Sequence, residues 1–156
     1  FMLTQHYLKH LWNLQNYFII KAHTFIPQKE KNRELLMKKV TFNEIPKLAR
    51  NESLFTDTVY AQSILEHEDS DNFNFAIVNF PATTRTKFHI HSGDQILIIT
   101  DGFGKVANEQ EELDVQRGDM VLIKAGENHW HGANDEFSMS HITITVSGSE
   151  TRQTED

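Results

Sequence analysis

Residues 83–102 read TTRTKFHIHSGDQILIITDG, and residues 118–134 read GDMVLIKAGENHWHGAN. In the first stretch His89 and His91 are two residues apart, and on an extended chain positions i and i+2 project from one face. A tight turn, Ser92-Gly93-Asp94, leads into QILIIT at 95–100, where Gln95 shares its face with Leu97 and Ile99. That run is apolar on both faces, which predicts a strand buried between two sheets. In the second stretch Met120 to Ile123 has the same character, and His129 and His131 repeat the i, i+2 spacing.

The same texture extends in both directions from these stretches. From Ser53 onward short alternating runs dominate: Phe73, Phe75 and Ile77 alternate with Asn74 and Ala76. Ser140, Ile142, Ile144 and Val146 alternate with Met139, His141, Thr143 and Thr145. Turn signals fall at Asp101-Gly102, Arg117-Gly118-Asp119 and Ala125-Gly126-Glu127. Regularly spaced short strands without helical stretches between them predict an all-β antiparallel sandwich or barrel. The first forty residues differ. Leu3, Tyr7, Leu11, Leu14 and Phe18 mark one face of a helix, and Gln28 to Lys39 reads as a short charged helix after Pro27. The expected organisation is a helical extension over 1–39, a β-domain over 40–148 and a polar tail over 149–156. Met37 opens a run, MKKVTFNEIP, that would itself serve as a start, so no function is placed on residues 1–36.

Composition narrows the chemistry. The 156 residues suit one domain, and 38% hydrophobic content with eleven Phe supplies a core. Cysteine is absent, which excludes disulfides, thiol nucleophiles, iron–sulfur clusters and thiolate zinc sites. Any metal must be held by nitrogen and oxygen. Fifteen basic against 22 acidic residues give a net charge of −7, the wrong sign for a nucleic-acid face. The apolar run Tyr17 to Ile20 is far shorter than the ~20 residues of a membrane span. The expectation is a soluble cytoplasmic protein with no nucleic-acid or membrane partner.

Of nine histidines, five lie between 89 and 141. Imidazole is the commonest metal-binding nitrogen, and two from one strand form a half-site with little loop entropy to lose. Two His-x-His pairs in one β-domain, with His141 on the inward face of a further strand beside Met139 and Thr143, point to a metal site.

These residues resemble the two conserved motifs of the cupin superfamily, G-x5-H-x-H-x3-4-E-x6-G and G-x5-P-x-G-x2-H-x3-N. His89, His91, Gly102, Gly118, Gly126 and His129 fall at the required positions. The chain is most similar to a single-domain subgroup that reads H-x-H-x3-Q, then H-W-H-G-A, then a T/S-H-I/L strand, over about residues 53–146. It departs from the superfamily pattern at Thr83 (usually Gly), Gln95 (Glu), Lys124 (Pro) and Ala133 (Asn). The resemblance implies a cupin-type β-barrel or jelly roll. It also implies one divalent metal per chain on His89, His91, Gln95 and His129, with Gln95 rather than Asp94 as the oxygen ligand. Manganese or iron comes first, with nickel, cobalt and zinc open, because an N3O set does not select among them.

The expected catalytic groups are His141 and His131, as general acid or base, and the Thr86 hydroxyl. Members of the subgroup include manganese-dependent hydroxynitrile lyases. The expected function is therefore a metal-dependent enzyme with lyase-type chemistry on a small oxygenated substrate. The alternatives are an iron-dependent dioxygenase, or a non-catalytic cupin that binds a small molecule or metal. Ile96, Ile98, Ile142 and Ile144 face away from the metal and predict a homodimer, while Trp130 points outward by parity.

Overall fold

A computed structural model describes residues 37–156. The helical extension expected over 1–39 lies outside them except for residues 37–39, which carry no regular structure. A 3-10 turn at Phe42–Glu44 precedes ten strands. These are β1 (Leu48–Arg50), β2 (Val59–Leu65), β3 (Phe73–Phe80), β4 (His89–His91), β5 (Gln95–Asn108), β6 (Glu112–Gln116), β7 (Met120–Ile123), β8 (His129–Ala133), β9 (Met139–Val146) and β10 (Thr151–Gln153). Every pairing is antiparallel, in the order β1-β2-β3-β9-β5-β8-β4-β10, with β6 and β7 also on β5. Among the described residues no helix is long and apolar enough to cross a membrane.

The fourteen-residue β5 belongs to both halves of the barrel. Gln95 to Ile98 run between β7 and β9, whereas Gly104 to Ala107 run between β6 and β8. The crossing is made by a register shift between Ile99 and Asp101, followed by Gly102 at φ 73°. An extra residue in a strand reverses which parity faces the core. Gln95, Leu97 and Ile99 are buried before the shift, and Gly104 and Val106 after it. The core they enter is closed by Val59, Phe80, Val115, Ile123, Ala133 and Met139. Each large apolar side chain buried there contributes about 1.5–3 kcal/mol.

QILIIT does not lie between two sheets. Ile96 and Ile98 are only half-buried on the outer surface, opposite Ile144 and Ile142 of β9, and Met120 and Leu122 of β7 are exposed beside them. The apolar second face of the run therefore covers the outside of the barrel. Further along that surface the 3-10 turn is tied to β2. Gln62 Nε2 donates to the carbonyls of Phe42 and Ile45 at 2.7 and 2.6 Å, and the Phe42 ring packs 5.8 Å from Phe75.

The polar tail read over 149–156 contributes a strand. β10 pairs with β4, supplying the main-chain partners that β4 would otherwise lack. Polarity hid it, because a three-residue edge strand needs no apolar face.

Two turn positions differ in how well the residue suits the backbone. At Gly102 a Cβ would lie 1.8 Å from the Ser138 carbonyl oxygen. Thr83, where the motif carries glycine, sits at φ 69°, a left-handed conformation that costs a residue with a Cβ roughly 1–2 kcal/mol. Gly102→Ala should therefore lower stability by at least about 2 kcal/mol, and Thr83→Gly should raise it by about 1 kcal/mol. Urea midpoints of the two variants check both signs.

Candidate metal centre

His89 and His91 alternate with the outward Ile90 on β4, and His129 of β8 stands directly opposite His89. All three rings are buried. Their centroids are 4.9 Å (89 to 91), 4.2 Å (89 to 129) and 5.5 Å (91 to 129) apart. One nitrogen from each lies within 4.8 Å of the others.

The other nitrogens fix which atoms converge. His89 Nδ1–H donates to the Lys87 carbonyl at 2.8 Å, and His129 Nδ1–H to the Glu127 carbonyl at 2.9 Å. A carbonyl can only accept, so the proton sits on Nδ1 and a neutral ring keeps its lone pair on Nε2. His91 Nδ1 lies 2.9 Å from Thr151 Oγ1, and its Nε2 is buried without a partner. Burial holds all three rings neutral. It lowers His89 to about 3, helped by its neighbour His129, and His91 to about 4, again with His129 and against the side chain of Gln95. His129 is lowered by the same desolvation.

Gln95 completes the arrangement. Its Nε2 donates to Thr143 Oγ1 at 3.0 Å, which turns Oε1 toward His129 Nε2, also at 3.0 Å. With the single proton of His129 on Nδ1, these two atoms are both acceptors and have no hydrogen to share. The lone pairs of His89 Nε2, His129 Nε2 and Gln95 Oε1 thus stand in one buried space with the unpartnered His91 Nε2. The three histidines form a group that could hold a metal ion, and nitrogen donors of this kind suit a divalent transition metal. Asp94 is turned outward, accepting from Lys124 Nζ and from the Ala125 N–H at 2.9 Å.

Two further imidazoles extend the cluster. His131 stands 5.6 Å from His89, 5.9 Å from His129 and 4.9 Å from His141, centroid to centroid. Phe80 stacks on His141 at 5.4 Å and meets His131 edge-on at 5.8 Å. Burial drives His131 well below its ordinary range, with His141 and the other rings adding to it. It lowers His141 to about 4, opposed by the Ile142 backbone. That backbone does not reach a ring nitrogen in hydrogen-bonding geometry: both His141 nitrogens and His131 Nδ1 are buried without partners. Thr86 is buried beside the His131 backbone. Its hydroxyl donates to the His131 carbonyl at 3.2 Å and accepts the His131 N–H at 3.0 Å, so it holds β8 in place. Trp130 faces outward beneath Arg85, whose guanidinium carbon is 5.0 Å from the ring centre.

Residues 76–145 match the family model described as "Cupin domain". An (R)-mandelonitrile lyase from Granulicella tundricola is 35% identical over 91 residues, covering 58% of this chain and 70% of that protein. The chain belongs to the cupin family. Solved structures share the fold. A cupin-like protein from Thermotoga maritima superposes with a TM-score of 0.66 at 28% identity, covering 69% of this chain and 84% of that one. The polyketide cyclase RemF from Streptomyces resistomycificus shares the fold at a TM-score of 0.68 and 15% identity, covering 76% of this chain and 86% of its own.

Within this cupin the expected ligands are brought together with His131 and His141. The supporting groups were less visible in advance. Thr143 was legible as an inward residue of β9 but not as the anchor of Gln95. The carbonyls of Lys87 and Glu127 carry no side-chain signal, although each lies two residues before the histidine it orients. Thr151 stood in what read as a tail.

Two outcomes follow. Wild-type protein should carry about one divalent metal per chain, lost in His91→Ala and weakened in Gln95→Ala, as read by mass spectrometry of metal content. In metal-free protein the five rings stay neutral when folded, whereas the unfolded chain takes up protons below the ordinary histidine value of 6.5. Their contribution is whole above pH 6.5 and is lost as pH falls toward 4. Thermal midpoints should drop steeply across that window, and a flat profile would show that the rings protonate freely in the fold.

Proposed function

We propose that this cupin is a divalent-metal enzyme of lyase type, acting on a small hydroxylated substrate of the cyanohydrin kind. One observation carries the reading: a neutral base, His131, with an unpartnered nitrogen stands between the three-histidine cluster and His141. His89, His91, Gln95 and His129 would hold the metal. When bound there it supplies Lewis acidity to a substrate oxygen, and the more strongly because all four ligands are neutral.

The remaining chemistry falls to side chains of this chain. His131 accepts the substrate hydroxyl proton, and the electron pair of that O–H bond forms the carbonyl. The C–C bond to the nitrile carbon breaks, and its electrons leave with cyanide. The imidazolium of His131 returns the proton to give hydrogen cyanide. His141 lies behind it, 4.9 Å away between ring centres, and burial keeps it neutral as well. Phe80, which stacks on His141, belongs with Leu97, Ile99 and Met139 to the packed apolar core, so the rings stand in a largely apolar interior. A cleft of about 310 Å³ bordered by Ser63, Asn74, Thr143 and Thr145 adjoins the Gln95 anchor, supporting access from that end. The similarity to a mandelonitrile lyase supports the same substrate class.

The test is cleavage of (R)-mandelonitrile by protein loaded separately with manganese, iron and zinc, with and without oxygen. Turnover should require metal and ignore oxygen. His131→Ala should reduce kcat by about 100-fold or more while metal content is kept. Turnover of other substrates only with iron and oxygen would favour a dioxygenase. Binding of the nitrile without turnover in any metal form would favour a non-catalytic cupin.

A further inference from the structure

β4 carries two of the three clustered histidines and is held unevenly on its two sides. On one side its ladder with β8 is a single pair, His89 opposite His129, joined by the Gly126 N–H donating to the His91 carbonyl at 2.9 Å. On the other, β10 pairs with all three residues: Thr151 with His91, Arg152 with Ile90 and Gln153 with His89. Main-chain contacts continue past both ends, with Ser92 N–H donating to the Glu150 carbonyl at 3.0 Å and Thr154 N–H to the Phe88 carbonyl at 2.8 Å. Beyond the strand, the Glu155 carboxylate accepts both arms of Arg85, at 3.0 and 2.9 Å, and the Phe88 N–H at 2.8 Å. A two-pronged Arg–carboxylate pair fixes direction as well as distance. Residues 150–155, which form one side of these contacts, lie beyond residue 145, where the match to the cupin family ends.

Thr151 makes the connection to the centre. Its Oγ1 is 2.9 Å from His91 Nδ1, while His91 Nε2 is the buried, unpartnered atom that faces the other rings. Of the two neutral tautomers, only Nδ1–H leaves a lone pair on Nε2. The other puts its hydrogen on Nε2, where it would pair with a neighbouring acceptor such as the Gln95 oxygen and leave no lone pair for an ion.

We propose that β10 is part of the metal centre: Thr151 is a positioning residue that accepts the Nδ1 proton of His91 and so presents Nε2 to the ion, and the Glu155–Arg85 fork clamps the strand that carries it. This rests on the reading of the histidine cluster as a metal site. Hydrogen-bond partners of metal-binding histidines change affinity by about 10–100-fold when removed, and Thr151 should behave as one.

The experiment compares full-length wild type with Thr151→Val, Thr151→Ser and Glu155→Gln. Manganese and zinc affinities are measured by chelator competition, and ¹⁵N NMR reads the His91 tautomer in metal-free protein. Thr151→Val should lose about 10–100-fold in affinity and shift His91 toward the Nε2–H form. Thr151→Ser, which keeps the hydroxyl, should restore both. Glu155→Gln should weaken affinity in the same direction by less, because it loosens the strand without removing the acceptor. Unchanged affinity and tautomer in Thr151→Val would overturn the proposal. If that variant does not fold, an Nε2–H tautomer at His91 in the metal-free wild type would do so instead. Failure of the wild type to bind any metal would sink the metal reading itself, and the tautomer measurement would still decide what Thr151 does to His91.

Discussion

Five imidazoles inside one small barrel can be buried together only if all are neutral, since desolvation and mutual repulsion both oppose a charged ring. Neutrality gives each ring one proton and one lone pair to place. The protons of His89 and His129 go to carbonyls two residues earlier in the chain, at Lys87 and Glu127. The same local geometry is therefore used twice, once on each of the strands that face each other. The lone pairs left over meet in the middle, joined by the Gln95 oxygen that Thr143 orients. The convergence of acceptors is a consequence of where the protons had to go. His131 and His141 extend the neutral interior, with His131 Nδ1 and both His141 nitrogens buried and unpartnered.

Strand parity made much of this legible. Alternation placed His89, His91, Gln95, Leu97 and Ile99 inward, and Asp94 outward, where Lys124 takes it up. The replacement of proline by Lys124 in the second motif is thereby matched to the first motif's turn. Parity says nothing of what lies beyond the sheet, however. Ile96 and Ile98 are as apolar as their inward neighbours, so the sequence pattern could not tell an outer surface from a second buried face. Backbone acceptors are invisible in the same way, because every residue has a carbonyl and only the fold decides which is free. Thr151 had no apolar neighbours to mark its strand, and its importance comes from register alone.

The glycine positions show how closely the turns are tied to the interior. Gly102 follows the register shift of β5 in a left-handed conformation against the Ser138 carbonyl, at the point where inward parity passes from odd to even positions. Without that reversal Gln95 and Val106 could not both face inward. Thr83 occupies a similar backbone conformation with a β-branched side chain. It carries strain at the start of the segment that leads into β4.

Because β5 is hydrogen-bonded on both flanks along most of its length, and is shared by the two halves of the barrel, these halves cannot slide or hinge apart as two separate sheets could. Breathing is left to strands with a neighbour on one side only, which are β1, β6, β7 and β10. The cleft beside Thr143 and Thr145 is formed by β2, β3 and β9 instead, so it does not depend on the fraying of those strands. Topology in this way runs a doubly paired spine through the centre and leaves one-sided pairing to the margins.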